Sequence, residues 1–298
     1  MGGAIYTRTG ETAMGKVEYR KLSKHTGAEI LGIDLNSQIP QETIEEIWKI
    51  FVDHTVVLFR DQKLEQPDLV RATGQFGACG EYDRPAEFHT SGQKKVLPQI
   101  MLITNIRENG EPIGSLPDGE MWFHHDTIHR KIPHKATLLY SVEIPSWGGN
   151  TVFSNLMAAY DALPADLKQA IEGRQVYNAF NYGSVKKGDP NATAARSHAV
   201  HPAVRICPDN GRKAIYIDRL MSQNIVDMPE ADSEAILERI YDFIEQDEFC
   251  YDHVWKKGDV LMWDNRTSVH ARRDFPAHET RLMWRTTLAD TVAPYWAA

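Results

Sequence analysis

The chain is poor in cysteine, has no excess of positive charge, and contains no long apolar run; each absence narrows what it can be. Its three cysteines, Cys79, Cys207 and Cys250, are far apart and odd in number. They suggest neither a disulfide framework nor a zinc cluster, and they fit a reducing cytoplasm. Lys+Arg 33 against Asp+Glu 41 gives a net charge of -8, which offers no general attraction to nucleic acid. No stretch approaches the length needed to span a bilayer, and the Gly-rich start lacks the apolar segment of a signal peptide. What remains is an ordinary globular composition, 42% hydrophobic and 25% charged over 298 residues, enough for a substantial core. We expect one domain over 1–298 with residues 1–16 flexible, in a cytoplasmic protein with neither membrane nor nucleic-acid partners.

Periodicity predicts mixed elements. Helical spacing occurs over 42–52 and 66–76, in two short segments around Pro164 (156–163 and 165–172), and over 233–246. Strands are expected in short pieces over 17–35, then at 55–60, 99–104, 136–144, 151–154, 249–255, 260–263 and 281–288. A hairpin over 204–206 and 214–217 turns at Asn210-Gly211. The region 78–119 is rich in Gly, Pro and charge around a single strand, and is a candidate substrate lid; 183–195 reads as a loop. Strands without regular β-α-β alternation favour a mainly β fold with peripheral α-helices, a jelly-roll core rather than a doubly wound sheet.

The chemistry-bearing stretch is Met121-Trp122-Phe123-His124-His125-Asp126. On a strand, His124 and Asp126 would share a face while His125 points away. His270, far downstream, can complete a set of two histidines and one carboxylate. That set is the facial triad of non-haem Fe(II) oxygenases, although a polar turn would also read His-His-Asp. Arg281 and Arg285 are four residues apart, hence on one face and roughly 13 Å apart along a strand. They could hold two anions, or could be the wet side of an edge strand. Asp264 and Arg266 are expected to pair and so orient the turn before His270.

In order along the chain, Thr26-Gly27-Ala28-Glu29-Ile30, His124-x-Asp126, Gly148-Gly149-Asn150-Thr151, Ala158-Ala159-Tyr160-Asp161-Ala162-Leu163-Pro164, Trp263-Asp264-Asn265-Arg266, His270, Arg281 and Arg285 resemble the taurine dioxygenase / 2,4-dichlorophenoxyacetate dioxygenase family. The resemblance runs from about Val17 to Leu288, and its C-terminal block is closer to the phenoxyacetate branch. It implies a double-stranded β-helix (jelly-roll) core and Fe(II) held by His124, Asp126 and His270. It also implies 2-oxoglutarate as co-substrate, its distal carboxylate met by Thr151 and Arg281, and Arg285 facing the anionic group of the prime substrate. Asn105, Glu120 and Tyr82 fall in segments expected to border the pocket. The implied reaction consumes O2, releases succinate and CO2, and hydroxylates a small carboxylate or sulfonate; a carboxylate at Asp126 favours hydroxylation over halogenation. Relatives suggest a homo-oligomer, dimer or tetramer. Two departures stand out: Phe123, where relatives have Trp directly before the histidine, and Gly80-Glu81-Tyr82-Asp83, which lacks the histidine pattern of taurine-specific relatives. A zinc hydrolase on a jelly-roll scaffold and a non-catalytic jelly-roll binding protein are the rival classes; the first gives no reason for Thr151 or the arginine pair.

Overall fold

The apolar runs at 56–59 and 260–264 are buried on both faces, and they lie side by side at the centre of the main sheet. The computed structural model describes residues 16–82, 84–187 and 196–296. Residues 1–15 of the expected flexible start, Asp83 of the Gly80–Asp83 motif and 188–195 of the expected loop lie outside the described residues.

The main sheet has seven strands in the order Tyr19–Lys21, Ala28–Ile30, Val56–Phe59, Val260–Asp264, Ala136–Glu143, Leu282–Leu288 and Met101–Thr104. Its pairings are antiparallel apart from Ala28–Ile30 with Val56–Phe59. Side chains alternate between two cores, as the strand period of two requires. Val57, Phe59, Val260 and Met262 pack under Ile47, Phe51, Leu69 and Phe76 of helices Gln41–His54 and Gln66–Phe76. Val56, Leu58, Leu261 and Trp263 face the opposite way and meet Phe153 of a second sheet. With helices on one side and a sheet on the other, the strands read as continuous apolar runs rather than alternating ones.

The second sheet has four antiparallel strands in the order Cys250–His253, Thr151–Asn155, Ser268–Arg272 and Met121–His124. Its far face is covered by helices Leu156–Ala162, Ala165–Ile171 and Glu230–Ile244 and by the Val204–Ile206/Lys213–Ile215 hairpin. The fold is thus mainly β with a few helices around it. The region 78–119 is tied into the body by Met101–Thr104, an edge strand of the main sheet, with two 3-10 turns before it and a short hairpin after it. A three-stranded sheet of Gln175–Asn181, Arg196–Pro202 and Ser222–Ile225 was not foreseen. Polar residues interrupt each of its strands, which hides their periodicity. No helix among the described residues is long and apolar enough to cross a membrane, and Cys79, Cys207 and Cys250 are free thiols.

Burial in that third sheet leaves a pH signature. His201 is 3% exposed, with Nε2 2.8 Å from the Arg130 carbonyl, and burial pushes its pKa down from 6.5 to about 4. Between those values the unfolded chain binds a proton that the folded chain does not, so this stability is present above pH 6.5 and is lost as pH falls toward 4. The loss is at most about 3 kcal/mol. His201→Gln is expected to flatten the acid side of the stability profile, read as the urea midpoint at pH 7 and pH 4.5.

Candidate active site

Three cross-strand neighbours place the metal-ligand set. His124, His270 and Phe153 stand opposite one another in adjacent strands of the four-stranded sheet, and the two imidazole centroids are 4.1 Å apart. The strand ends at His124, and Asp126 lies in the turn that follows, yet the expected sides hold: Asp126 stays with His124 while His125 points the other way. Ligand atoms of His124, Asp126 and His270 all lie within 4.8 Å of one another, and all three residues are buried.

Their hydrogen bonds set the donor atoms. His124 Nδ1 lies 2.8 Å from the Trp122 carbonyl, which can only accept, so the proton sits on Nδ1 and the Nε2 lone pair is free for a metal. Burial, and then the neighbouring His124, hold the His270 pKa well below its usual value, which keeps that ring neutral. Burial alone would raise the Asp126 pKa, but Arg285, His270 and His124 outweigh it and hold the carboxyl far below the usual range. Asp126 Oδ2 accepts from Thr137 Oγ1 at 2.6 Å. Thr137 Oγ1 accepts in turn from Asn265 Nδ2, and Asn265 Oδ1 accepts from Trp263 Nε1. The other oxygen, Oδ1, takes Arg285 Nη1 at 3.1 Å. Two imidazoles and one ionised carboxylate are the donor set expected of non-haem Fe(II), with coordination positions left open. Thr137→Val should loosen Asp126 and lower Fe(II) affinity by roughly 10–100-fold, the usual effect of removing a group that orients a ligand. Metal titration followed by isothermal calorimetry measures it.

His124 and His270 also border a cavity with Thr151, Arg272, Arg281 and Arg285. Arg281 is 3% exposed, yet no carboxylate pairs with it among the described residues. Its guanidinium makes one long hydrogen bond, Nη2 to the Gly149 carbonyl at 3.4 Å, and lies 5.8 Å from the Phe275 ring centroid. Burial and then Arg272 push its pKa down to about 9, so it is still a cation at neutral pH. Arg272 differs in being fully engaged, donating to the carbonyls of Leu116, Asp118 and Gly119. Thr151 Oγ1 accepts from the Trp255 indole at 3.1 Å, which leaves the hydroxyl proton to be donated elsewhere. The Gly-Gly pair before it has a steric reason. Gly148 and Gly149 have φ of 73° and 65°, and a Cβ would lie 2.5 Å from the Asp274 carbonyl oxygen at the first and 3.1 Å from Arg281 Nε at the second.

Of the remaining sequence candidates, Tyr82 lines a second cavity that shares His124 and Arg285 with the first and includes Asp126. Asn105 and Glu120 are placed otherwise than expected. Asn105 Oδ1 accepts from the Arg281 backbone N–H, and its Nδ2 donates to the carbonyls of Ala277 and Glu279. Its amide is therefore committed to the loop that delivers Arg281. Glu120 is exposed and borders a different depression with Arg219 and Arg273. His125 points away from the site as expected: its Nδ1 and backbone N–H both meet Asp218 Oδ2, at 3.0 and 3.1 Å. Asp264 and Arg266 pair as expected, with Asp209 as a second partner. Sequence reasoning missed Thr137 and Arg84; the first is an unremarked strand residue and the second lies in a loop, and neither belongs to a motif.

Residues 18–287 match the family described as taurine catabolism dioxygenase TauD, TfdA family. This chain belongs to the TauD/TfdA dioxygenase family. It is 30% identical over 290 residues to pentalenolactone F synthase of Streptomyces avermitilis, spanning 91% of this chain and 93% of that enzyme. Over 272 residues it is 29% identical to the alpha-ketoglutarate-dependent 2,4-dichlorophenoxyacetate dioxygenase of Cupriavidus pinatubonensis, spanning 87% and 93% respectively. Among solved structures, AAD-2 in complex with Mn(II) and N-oxalylglycine superposes with a TM-score of 0.79 at 26% identity, covering 95% of this chain and 100% of that one. As a TauD/TfdA member the chain is a 2-oxoglutarate-dependent dioxygenase, and neither the hydrolase nor the non-catalytic reading survives.

Proposed function

We propose that His124, Asp126 and His270 hold Fe(II), that Arg281 and Thr151 bind the distal carboxylate of 2-oxoglutarate, and that the enzyme hydroxylates a C–H bond of a small organic anion. The observation that carries this reading is the buried Arg281 guanidinium, which has no carboxylate partner among the described residues and lies in the same cavity as the histidines. A cation held out of water without a counterion is costly, and a bidentate carboxylate is the ligand its planar fork fits. The Thr151 hydroxyl, its lone pair occupied by Trp255, is a donor for the same carboxylate.

Iron(II) bound here would supply the oxidative decarboxylation and the hydrogen abstraction that the protein cannot perform itself. The balance is R–H + 2-oxoglutarate + O2 → R–OH + succinate + CO2. The chain contributes orientation and charge. Thr137 fixes one oxygen of Asp126, Trp122 fixes the His124 tautomer, and Arg285, which borders both cavities, offers charge to the substrate's anionic group. Met101, Met121 and Leu139 keep the surroundings apolar.

Further parts of the proposal are a double-stranded β-helix core in a single catalytic domain, with residues 78–119 covering the substrate side, a homo-oligomeric assembly and a cytoplasmic location. The facing sheets support the first, Tyr82 and Leu116 in the cavity walls the second, the family habit the third, and the three free thiols the last. Relatives named for phenoxypropionate, sulfonate and sulfate ester substrates support the anionic class. The test is a panel of phenoxyacetates, phenoxypropionates, taurine, other sulfonates and sulfate esters, scored by succinate release with Fe(II) or Zn(II). Substrate-stimulated succinate with iron alone is expected; equal turnover with zinc would refute the assignment.

A further inference from the structure

We infer that Arg84 anchors the anionic group of the prime substrate together with Arg285, and that the site selects an anion with an apolar body and no cationic group. This rests on the proposed hydroxylation and narrows its substrate.

Arg84 and Arg285 line the same cavity beside His124 and Asp126. Arg84 Nη1 donates to Ser115 Oγ at 3.1 Å, and its guanidinium carbon lies 5.6 Å from the Tyr182 ring centroid. Among the described residues no carboxylate pairs with it. Arg285 Nη1 meets Asp126, while its buried Nε has no partner. Two guanidiniums facing one cavity repel each other. The Arg84 pKa reflects this, being lowered first by burial, with Tyr82 opposing and Arg285 adding to the fall. An anion placed between them relieves the repulsion and gains charge-assisted hydrogen bonds.

The same cavity explains what the rest of the substrate must be. Its walls include Met101, Leu116, Met121, Phe180, Tyr182 and Met221, a surface for aryl or alkyl groups with methionines that adapt to shape. Asp126 is the only acid among the described lining residues. Both its oxygens are engaged, by Thr137 and Arg285, and it belongs to the metal-ligand set. Among the described lining residues an ammonium would therefore find arginines, thioethers and aromatic rings but no free carboxylate, which disfavours amino sulfonates such as taurine. Aryl or alkyl carboxylates and sulfate esters meet both demands.

The test is anaerobic equilibrium binding to the protein loaded with Fe(II) and 2-oxoglutarate, using 2-phenoxypropionate, octyl sulfate and taurine as probes. At least one apolar anion is expected to bind tenfold or more tightly than taurine. Arg84→Gln should weaken that anion roughly ten- to a hundredfold, the range for one hydrogen bond to a charged group. Arg84→Lys should recover part of the loss, and the neutral 2-phenoxypropionamide should bind both forms alike. An unchanged 2-oxoglutarate affinity in Arg84→Gln shows that the variant is folded. The inference is overturned if taurine binds as tightly as the apolar anions, if Arg84→Gln changes their affinity less than twofold, or if none of them binds the wild type. Failure of the wild type to bind 2-oxoglutarate instead overturns the underlying reading, and this inference with it.

Discussion

Replacing Arg281 with methionine is expected to weaken 2-oxoglutarate binding by several hundredfold while leaving the unliganded protein at least as stable as the wild type. The two halves have one cause. This guanidinium is buried with no carboxylate partner among the described residues, so the protein alone bears its desolvation without a compensating ion pair. Methionine has a similar reach and carries no charge, and removes that burden. Once 2-oxoglutarate is bound, the arginine completes a buried pair, and losing one partner of such a pair costs about 3–5 kcal/mol. Stability up and affinity down is the signature of a residue kept for function. Calorimetric titration with 2-oxoglutarate, alongside urea unfolding of the free protein, reads both. An unchanged affinity would place the co-substrate elsewhere, and a large loss of stability would make Arg281 a structural residue.

Asp126→Ala should act in the opposite sense on the fold. It removes a metal donor, so Fe(II) affinity and substrate-dependent succinate formation should fall by well over the roughly 100-fold upper end expected for Thr137→Val. It also strands Arg285, whose side chain is 15% exposed and whose ion partner is Asp126 at 3.1 Å, and leaves the Thr137 hydroxyl without its acceptor. A loss of about 3 kcal/mol in the metal-free protein follows, at the low end for a broken buried pair because Arg285 keeps some access to water. Unchanged turnover in iron-saturated Asp126→Ala would remove the carboxylate from the ligand set. The pair of variants also separates two roles for charge: Arg281 has no carboxylate partner among the described residues, whereas Arg285 is held by the Asp126 carboxylate.

What could be read in the chain follows from how local the signal is. His124, Asp126, Thr151, His270 and Arg281 sit in short motifs, and their chemistry is recognisable before their geometry is known. The strand read across His124–Asp126 stops at His124, yet the sides it assigns hold, His124 and Asp126 converging while His125 turns to Asp218. Asn105 and Glu120 were proposed from their nearness in sequence to the pocket segments. Proximity along a chain does not say which face a side chain takes: one became a clamp on the Arg281 loop and the other faces out. Thr137 and Arg84 belong to no motif, and their roles appear only through partners outside their own strand or turn, Asp126 and Asn265 for the first, Ser115 and Arg285 for the second. The helices and the buried strands at 56–59 and 260–264 were legible because their apolar periodicity is strong. The strands Gln175–Asn181 and Ser222–Ile225 were not, since polar residues interrupt both and tertiary pairing decides them.

The central claim, that this site couples oxygen chemistry to decarboxylation of 2-oxoglutarate at the His124, Asp126 and His270 set, is tested most directly by isotope labelling. With Fe(II), 2-oxoglutarate, an apolar anionic substrate and ¹⁸O2, the expected result is one labelled oxygen in succinate and one in the hydroxylated product, in equal amounts and only with iron. Product formed without succinate, or succinate that carries no label, would contradict it.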